Sequence, residues 1–178
     1  MEGFGMGIGV RENNDLSACM VIFGGTGDLA HRKLMPALYN LVHDRLLPKN
    51  FCIVSVGRRE KSHEQYRNEV FDSLQKFSRN KIDEGYWAKL RDLIFYFRMD
   101  FNDHEGYSRL KLFLDELDKK ANTKGNRVFY LAVAPEYFEI IVQGIHSGRL
   151  AENKNAWNRL VIEKPFGKDL ITARQLNG

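Results

Sequence analysis

Five short apolar runs punctuate the chain: Ala18 to Phe23, Phe51 to Val56, Leu93 to Phe97, Val128 to Val133, and Leu160 to Ile162. Each is apolar continuously rather than at alternate positions. A strand with one wet face alternates, whereas a strand covered on both faces does not, so the runs predict the interior strands of a sheet lying between two layers of helix. Between the runs, apolar residues recur at spacings of three and four: Leu34, Leu38, Leu41, Val42; Tyr66, Val70, Leu74, Phe77; Tyr107, Leu110, Leu114, Leu117; Phe138, Ile141, Val142, Ile145. Each set forms one stripe on a helix. Strands alternating with helices need right-handed crossovers, and so the expected fold is α/β, a doubly wound parallel sheet in a single domain.

Two places disturb this pattern. Pro36 falls inside the first helical stripe, where a proline in a regular helix costs about 3 kcal/mol, so a kink is expected between Arg32 and Pro36. Residues 1–16 carry a glycine-rich stretch, GFGMGIG, that resembles a nucleotide loop but has no strand before it and no helix after it. They read as a flexible tail, with the domain proper over residues 17–178. A last stripe begins at Asp169, a good N-cap, and runs through Leu170, Ile171, Ala173 and Leu176, as a helix that is barely completed.

Composition narrows the function classes. With 43% hydrophobic and 28% charged residues among 178, the chain has globular proportions rather than those of a disordered or fibrous one. The net charge of +4 arises from 27 Lys and Arg interspersed with 23 Asp and Glu, without a long basic run, which points to a phosphorylated small molecule rather than nucleic acid. No apolar stretch is long enough for a membrane span, and the start lacks the pattern of a signal peptide. Cys19 and Cys52 lie inside apolar runs, outside any ligand spacing, so buried reduced thiols and a cytoplasmic location are expected.

Chemistry concentrates where runs end. After the first strand comes Gly24, Gly25, Thr26, Gly27, Asp28, Leu29, Ala30, leading straight into a helix. In a Rossmann unit the first glycine makes the tight turn, a second lets backbone approach a pyrophosphate, and a small residue lets helix pack on strand; Gly24, Gly27 and Ala30 suit these roles. Helix N–H groups and the dipole then favour the anion by about 0.3 to 1 kcal/mol per exposed charge. No Gly-Lys-Ser/Thr follows, which disfavours phosphoryl transfer from ATP. Asp28 reads as a helix-start residue rather than a catalytic acid.

A NAD site places Asp or Glu at the end of the second strand to hold the ribose; here Gly57, Arg58 and Arg59 stand there. Two guanidinium groups suit the 2′-phosphate of NADP, and a charge-assisted bond of about 1.5 to 3 kcal/mol amounts to roughly tenfold to a hundredfold preference. The fifth run ends in Glu163, Lys164, Pro165, at the carboxyl edge where substrate and nicotinamide meet. Pro165 restricts Lys164, whose ammonium can hold a hydroxyl or phosphate oxygen, and Glu163 reads as its ion-pair partner.

GGTGDLAHRKLMPALYNL, VFYLAVAP and VIEKPFGKDL, in this order and spacing, resemble glucose-6-phosphate dehydrogenases over Cys19 to Leu170. The resemblance implies that Gly24, Thr26, Gly27, Asp28 and Leu29, with Gly25 beside them, line the coenzyme phosphates. It implies that Arg58 reads the 2′-phosphate of NADP, and that Ala134 and Pro135 flank the nicotinamide half. Glu163 and Lys164 belong to the same set, with Lys164 touching both coenzyme and glucose 6-phosphate. The family oxidises the C1 hydroxyl of that sugar to a lactone, with an Asp-oriented histidine as base. The family's Arg-Ile-Asp-His-Tyr-Leu-Gly-Lys-Glu segment is not in this sequence, and His31, His43, His63, His104 and His146 stand in other contexts. The resemblance therefore implies an NADP-binding part that turns over little by itself, in a longer protein that forms a homo-oligomer.

Two other readings stay open. Sugar oxidoreductases of the glucose-fructose type also place Glu-Lys-Pro after the fifth strand, and a coenzyme without a 2′-phosphate would favour them. A nonenzymatic NADP-binding sensor would lack the base for its own reasons.

Overall fold

In the computed structural model, which describes residues 16–153 and 155–163, the apolar runs form five strands: β1 Ala18–Phe23, β2 Phe51–Gly57, β3 Ile94–Arg98, β4 Arg127–Leu131 and β5 Asn158–Ile162. All neighbours are parallel, in the order β3-β2-β1-β4-β5. The chain winds outward from β1 to β3, then returns to β4 and continues to β5 on the other side. Winding direction thus switches between β1 and β4, the position at which sheets of this kind open a ligand crevice.

Helices α1 Met35–His43, α2 His63–Phe77 and α3 Glu84–Leu93 cover one face. Tyr39, Tyr66, Val70 and Leu90 pack there on Ile22, Ile53 and Ile94. Helices α4 His104–Ala121 and α5 Phe138–Ser147 cover the other, where Tyr107, Leu110, Leu114 and Ile141 meet Val21, Phe23, Val54 and Val56. Each such side chain contributes about 1.5 to 3 kcal/mol when fully buried, so the stripes decide where the helices lie. Caps decide where they start. Ser62 and Gln65 form a reciprocal capping box for α2, and the Asp83 and Asp103 carboxylates accept the first free amides of α3 and α4.

Several expectations need correction. Helix α3 was not expected: its apolar face is short, with Trp87 and Leu90, and Leu93, read as the start of a strand, closes it. The fourth strand stops at Leu131 and leaves Val133 in the loop beyond. The fifth run lies at the border of the described sheet, with Leu160 45% exposed and Ile162 44% exposed among the described residues. Leu41, Phe77 and Val142, counted in the stripes, are also exposed.

Pro36 is accommodated by a wider turn. Residues Ala30–Leu34 form a π-helical segment in which the Met35 N–H reaches back five residues to Ala30 O, and Pro36 follows directly, in the first turn of α1. The disturbance expected between Arg32 and Pro36 is this segment. At the opposite border of the sheet, α2 covers the outer edge of β3. Tyr96 N–H donates to His63 Nδ1 at 3.0 Å, and Arg67 Nε donates to Ile94 O at 3.0 Å.

Cys19 and Cys52 are register partners on β1 and β2, buried and unbridged; a bond from Cys52, then burial, pushes the Cys19 thiol up. Among the described residues no helix is long and apolar enough to cross a membrane.

Candidate functional site

The turn after β1 is shaped by contacts that leave no room for side chains. Gly24 has φ +83°, and a Cβ there would lie 2.5 Å from Ala132 O and 2.6 Å from Val133 Cγ1. The backbone following β1 thus presses on the backbone following β4, at the switch point itself. Gly25 is equally confined, since its Cβ would lie 2.4 Å from Ser55 Cβ. Both glycine amides donate to Val56 O at 3.0 Å, which folds the turn over the end of β2. From α2, the buried Tyr66 hydroxyl donates to Gly25 O at 2.6 Å, and burial pushes this phenol far above its ordinary value, so it stays a donor. Gly27 N–H closes the turn on Gly24 O at 2.9 Å, and the helix starts at Asp28.

The end of β2 is also close-fitting. A Cβ on Gly57 would lie 3.0 Å from the Tyr96 hydroxyl and 3.1 Å from Thr26 Cγ2, which brings Thr26 alongside Arg58. Tyr96 O–H donates to Arg59 O at 2.6 Å and fixes the loop.

Together these turns enclose a cleft of about 320 Å³. Gly24, Thr26 and Gly27 form one side, Gly57 and Arg58 the next, Met99 to Asn102 follow β3, and Ala132 to Ala134 with Tyr137 follow β4. Among the described residues no carboxylate of the β2 end lines this cleft; Glu60, further along the same loop, lies 3.3 Å from Arg98. Asp100, after β3, is occupied locally: its Oδ1 accepts from Asn102 N and Nδ2, at 2.9 and 3.0 Å, and these bonds hold its carboxyl below the usual range. A wall of glycine backbone, a helix start and one guanidinium suits an elongated anion with flat rings. A second cavity of about 620 Å³ adjoins, sharing Arg58, Met99 and Asp100 and lined further by Arg98, Asp103 and Arg109.

The sequence matches the family model described as glucose-6-phosphate dehydrogenase, NAD binding domain, over residues 21–178. The chain belongs to this family. It is 48% identical to the glucose-6-phosphate 1-dehydrogenase of Chlamydia muridarum over 170 residues, which are 90% of this chain and 34% of that protein. A solved glucose-6-phosphate dehydrogenase in complex with its substrate glucose-6-phosphate is similar, with a TM-score of 0.76, 26% identity, 90% of this chain and 33% of that one covered. A crystal structure of the enzyme from Mycobacterium avium is similar with a TM-score of 0.70, 29% identity and the same shares, 90% and 33%. The chain thus spans about a third of the length of the relatives it matches.

Of the residues that the glucose-6-phosphate dehydrogenase resemblance singled out, the structure brings Gly24, Thr26, Gly27, Arg58 and Ala134 to one cleft. Gly25 is buried beneath it against Ser55, and Leu29 packs into the core. Asp28 is exposed at the helix start and lies 3.6 Å from Arg32, as a capping-end residue would. Pro135 opens a short 3₁₀ turn, Pro135–Tyr137, beside Ala134. Glu163 accepts a hydrogen bond from the Tyr130 hydroxyl, whose phenol is pushed up to about 12 by burial and by this bond. The sequence had paired it with Lys164, which lies outside the described residues, as does Pro165. Arg59, read as the partner of Arg58, lines neither cavity; Arg98 and Arg109 do. Sequence reasoning missed both: Arg98 comes to Gly57 only through the β2–β3 register, and Arg109 reaches the cavity from α4. Among the histidines, His31 is half-buried on the core side: the single Ser73 hydroxyl proton goes to Glu69 O at 2.7 Å, so His31 Nδ1 donates to Ser73 at 2.8 Å.

Proposed function

We propose that this chain binds NADP as the coenzyme part of an enzyme that oxidises glucose 6-phosphate at C1 to the lactone. When bound, the nicotinamide ring accepts the hydride. The observation that carries the reading is the arginine in the cleft at the end of β2, where a NAD site would hold an acid, together with membership of the family. The glycine turn fits a pyrophosphate, because Gly24 and Gly27 line the cleft with bare backbone just before the helix start. In this reading Gly24, Thr26 and Gly27 hold the phosphates, with Gly25, Asp28 and Leu29 shaping the turn. Arg58 holds the 2′-phosphate, and Ala134 and Pro135 flank the nicotinamide half. From the sequence, Glu163 belongs to the coenzyme set and Lys164 touches both coenzyme and sugar phosphate. The buried free thiols support a reducing compartment such as the cytoplasm, and the family resemblance supports a homo-oligomer.

Calorimetric titration of the 178-residue chain with NADP⁺ and NAD⁺ tests the reading. Binding of NADP⁺ is expected to be roughly tenfold to a hundredfold tighter. Equal affinities would overturn it.

A further inference from the structure

Three arginines, Arg58, Arg98 and Arg109, line the cavity next to the coenzyme cleft, and their partners differ. Arg109 is committed. Its Nη2 lies 2.6 Å from Asp103 Oδ2, and Asp103 also caps α4 through Gly106 N–H at 2.9 Å. Arg109 takes Oδ2 of that carboxylate and the α4 cap takes Oδ1, so both oxygens of Asp103 are engaged. Among the described residues the ion-pair partner of Arg98 is Glu60, at 3.3 Å, with both side chains largely in solvent, 60% and 85% exposed. A pair so exposed is screened and holds its partners weakly. No ion pair engages Arg58 among the described residues. Asp100 and Asp103, the acids of the same cavity, are turned onto Asn102 and onto Arg109 and the α4 start.

Register brings the two available arginines to neighbouring strand ends, and both line the second cavity. Gly57 pairs with Arg98 across β2 and β3, and Met99 N–H extends the ladder to Gly57 O at 2.9 Å, so Arg58 and Arg98 leave the sheet from adjacent strand ends. We propose that Arg98 is a second specificity-determining residue, which joins Arg58 in clasping the coenzyme 2′-phosphate, and that the Glu60 carboxylate stands in for that phosphate in the free chain. The phosphate carries up to two charges and three acceptor oxygens, so it takes the planar fork in two parallel bonds where the carboxylate of Glu60 lies at 3.3 Å from one nitrogen. The inference rests on the NADP reading above and adds a residue to it.

Calorimetry on the full 178-residue chain with NADP⁺, NAD⁺ and adenosine 2′,5′-bisphosphate decides it. Arg98→Ala is expected to weaken NADP⁺ and the bisphosphate about tenfold while NAD⁺ stays within about twofold. Arg98→Lys is expected to fall between, because it keeps charge but not the fork. Glu60→Gln is expected to tighten NADP⁺ about twofold to threefold, and to have no effect once Arg98 is alanine. If Arg58→Ala collapses the NADP⁺ preference and Arg98→Ala leaves it unchanged, the inference is overturned and the NADP reading stands. If the unmodified chain binds NADP⁺ and NAD⁺ equally, both fall. Exposure of Arg98 keeps its variants folded, which unchanged thermal unfolding confirms.

Discussion

The two ends of the sheet are built on opposite principles. At the amino end, side chains do the fastening. Arg127 is buried at the start of β4 and spends its guanidinium on Asp115, Asp118 and Leu150 O, all at 2.6 Å. Beside it, Asn126 donates to Ser17 O at 3.0 Å and accepts Trp157 N–H at 3.1 Å, tying the starts of β1, β4 and β5. At the carboxyl end, backbone does the shaping. Gly24, Gly25 and Gly57 let turns approach more closely than any side chain permits, and the charged groups, Arg58 and Arg98, point into open cavities. The same residue type, arginine, is thus a structural member at one end and a ligand group at the other; what separates them is whether the guanidinium is buried on carboxylates, as Arg127 is, or open to the cavity.

The comparison can be broken, first and most forcefully, at Arg127. Arg127→Met leaves the largely enclosed Asp118 carboxylate with the Thr123 hydroxyl but no cation, and a loss of about 2 to 4 kcal/mol in urea unfolding is expected, with NADP⁺ affinity of the folded protein unchanged. A loss below about 1 kcal/mol would show that the amino end is not fastened this way. Next is Gly24→Ala. Its Cβ meets a backbone carbonyl and a positive φ, so about 1 to 3 kcal/mol of stability and at least tenfold of NADP⁺ affinity should go together. Retained affinity would mean that the close approach serves packing alone. The smallest effect is a pH dependence. Burial works against ionised Asp115, yet Lys111 and Arg127 hold its carboxyl below the usual range. A depressed folded value gives stability that is present above the unfolded value and fades as pH falls through the folded one, so stability should drop below about pH 4. In Arg127→Met this part of the profile should flatten; an unchanged slope would assign the acid sensitivity elsewhere.

How much of this was legible in the sequence follows the same division. Strands β1 to β4 and four helices could be read because burial on both faces leaves continuous apolar runs, and one-sided burial leaves stripes. Helix α3 escaped because it buries little beyond Leu90 and is announced mainly by its Asp83 cap. The glycine turn was legible through its position after a strand, and Arg58 through the missing acid. Arg59 and Arg58 are indistinguishable as a sequence pair, and only the backbone, with Tyr96 bound to Arg59 O, separates them. Arg98 and the Tyr130–Glu163 contact depend on strand register, which no local pattern encodes.

The π-helical segment between Ala30 and Leu34 has a consequence for anyone redesigning the chain. Successive residues of an α-helix are about 100° apart around its axis, and the wide turn holds one residue more than an α-helical path would. Deleting a residue here to regularise the helix would rotate Leu38, Tyr39 and Val42 by that angle, away from the sheet, while Ala30 kept its seat. The two stretches on either side are phased independently, and the surplus residue is the gearing that lets one serve the glycine turn and the other the core.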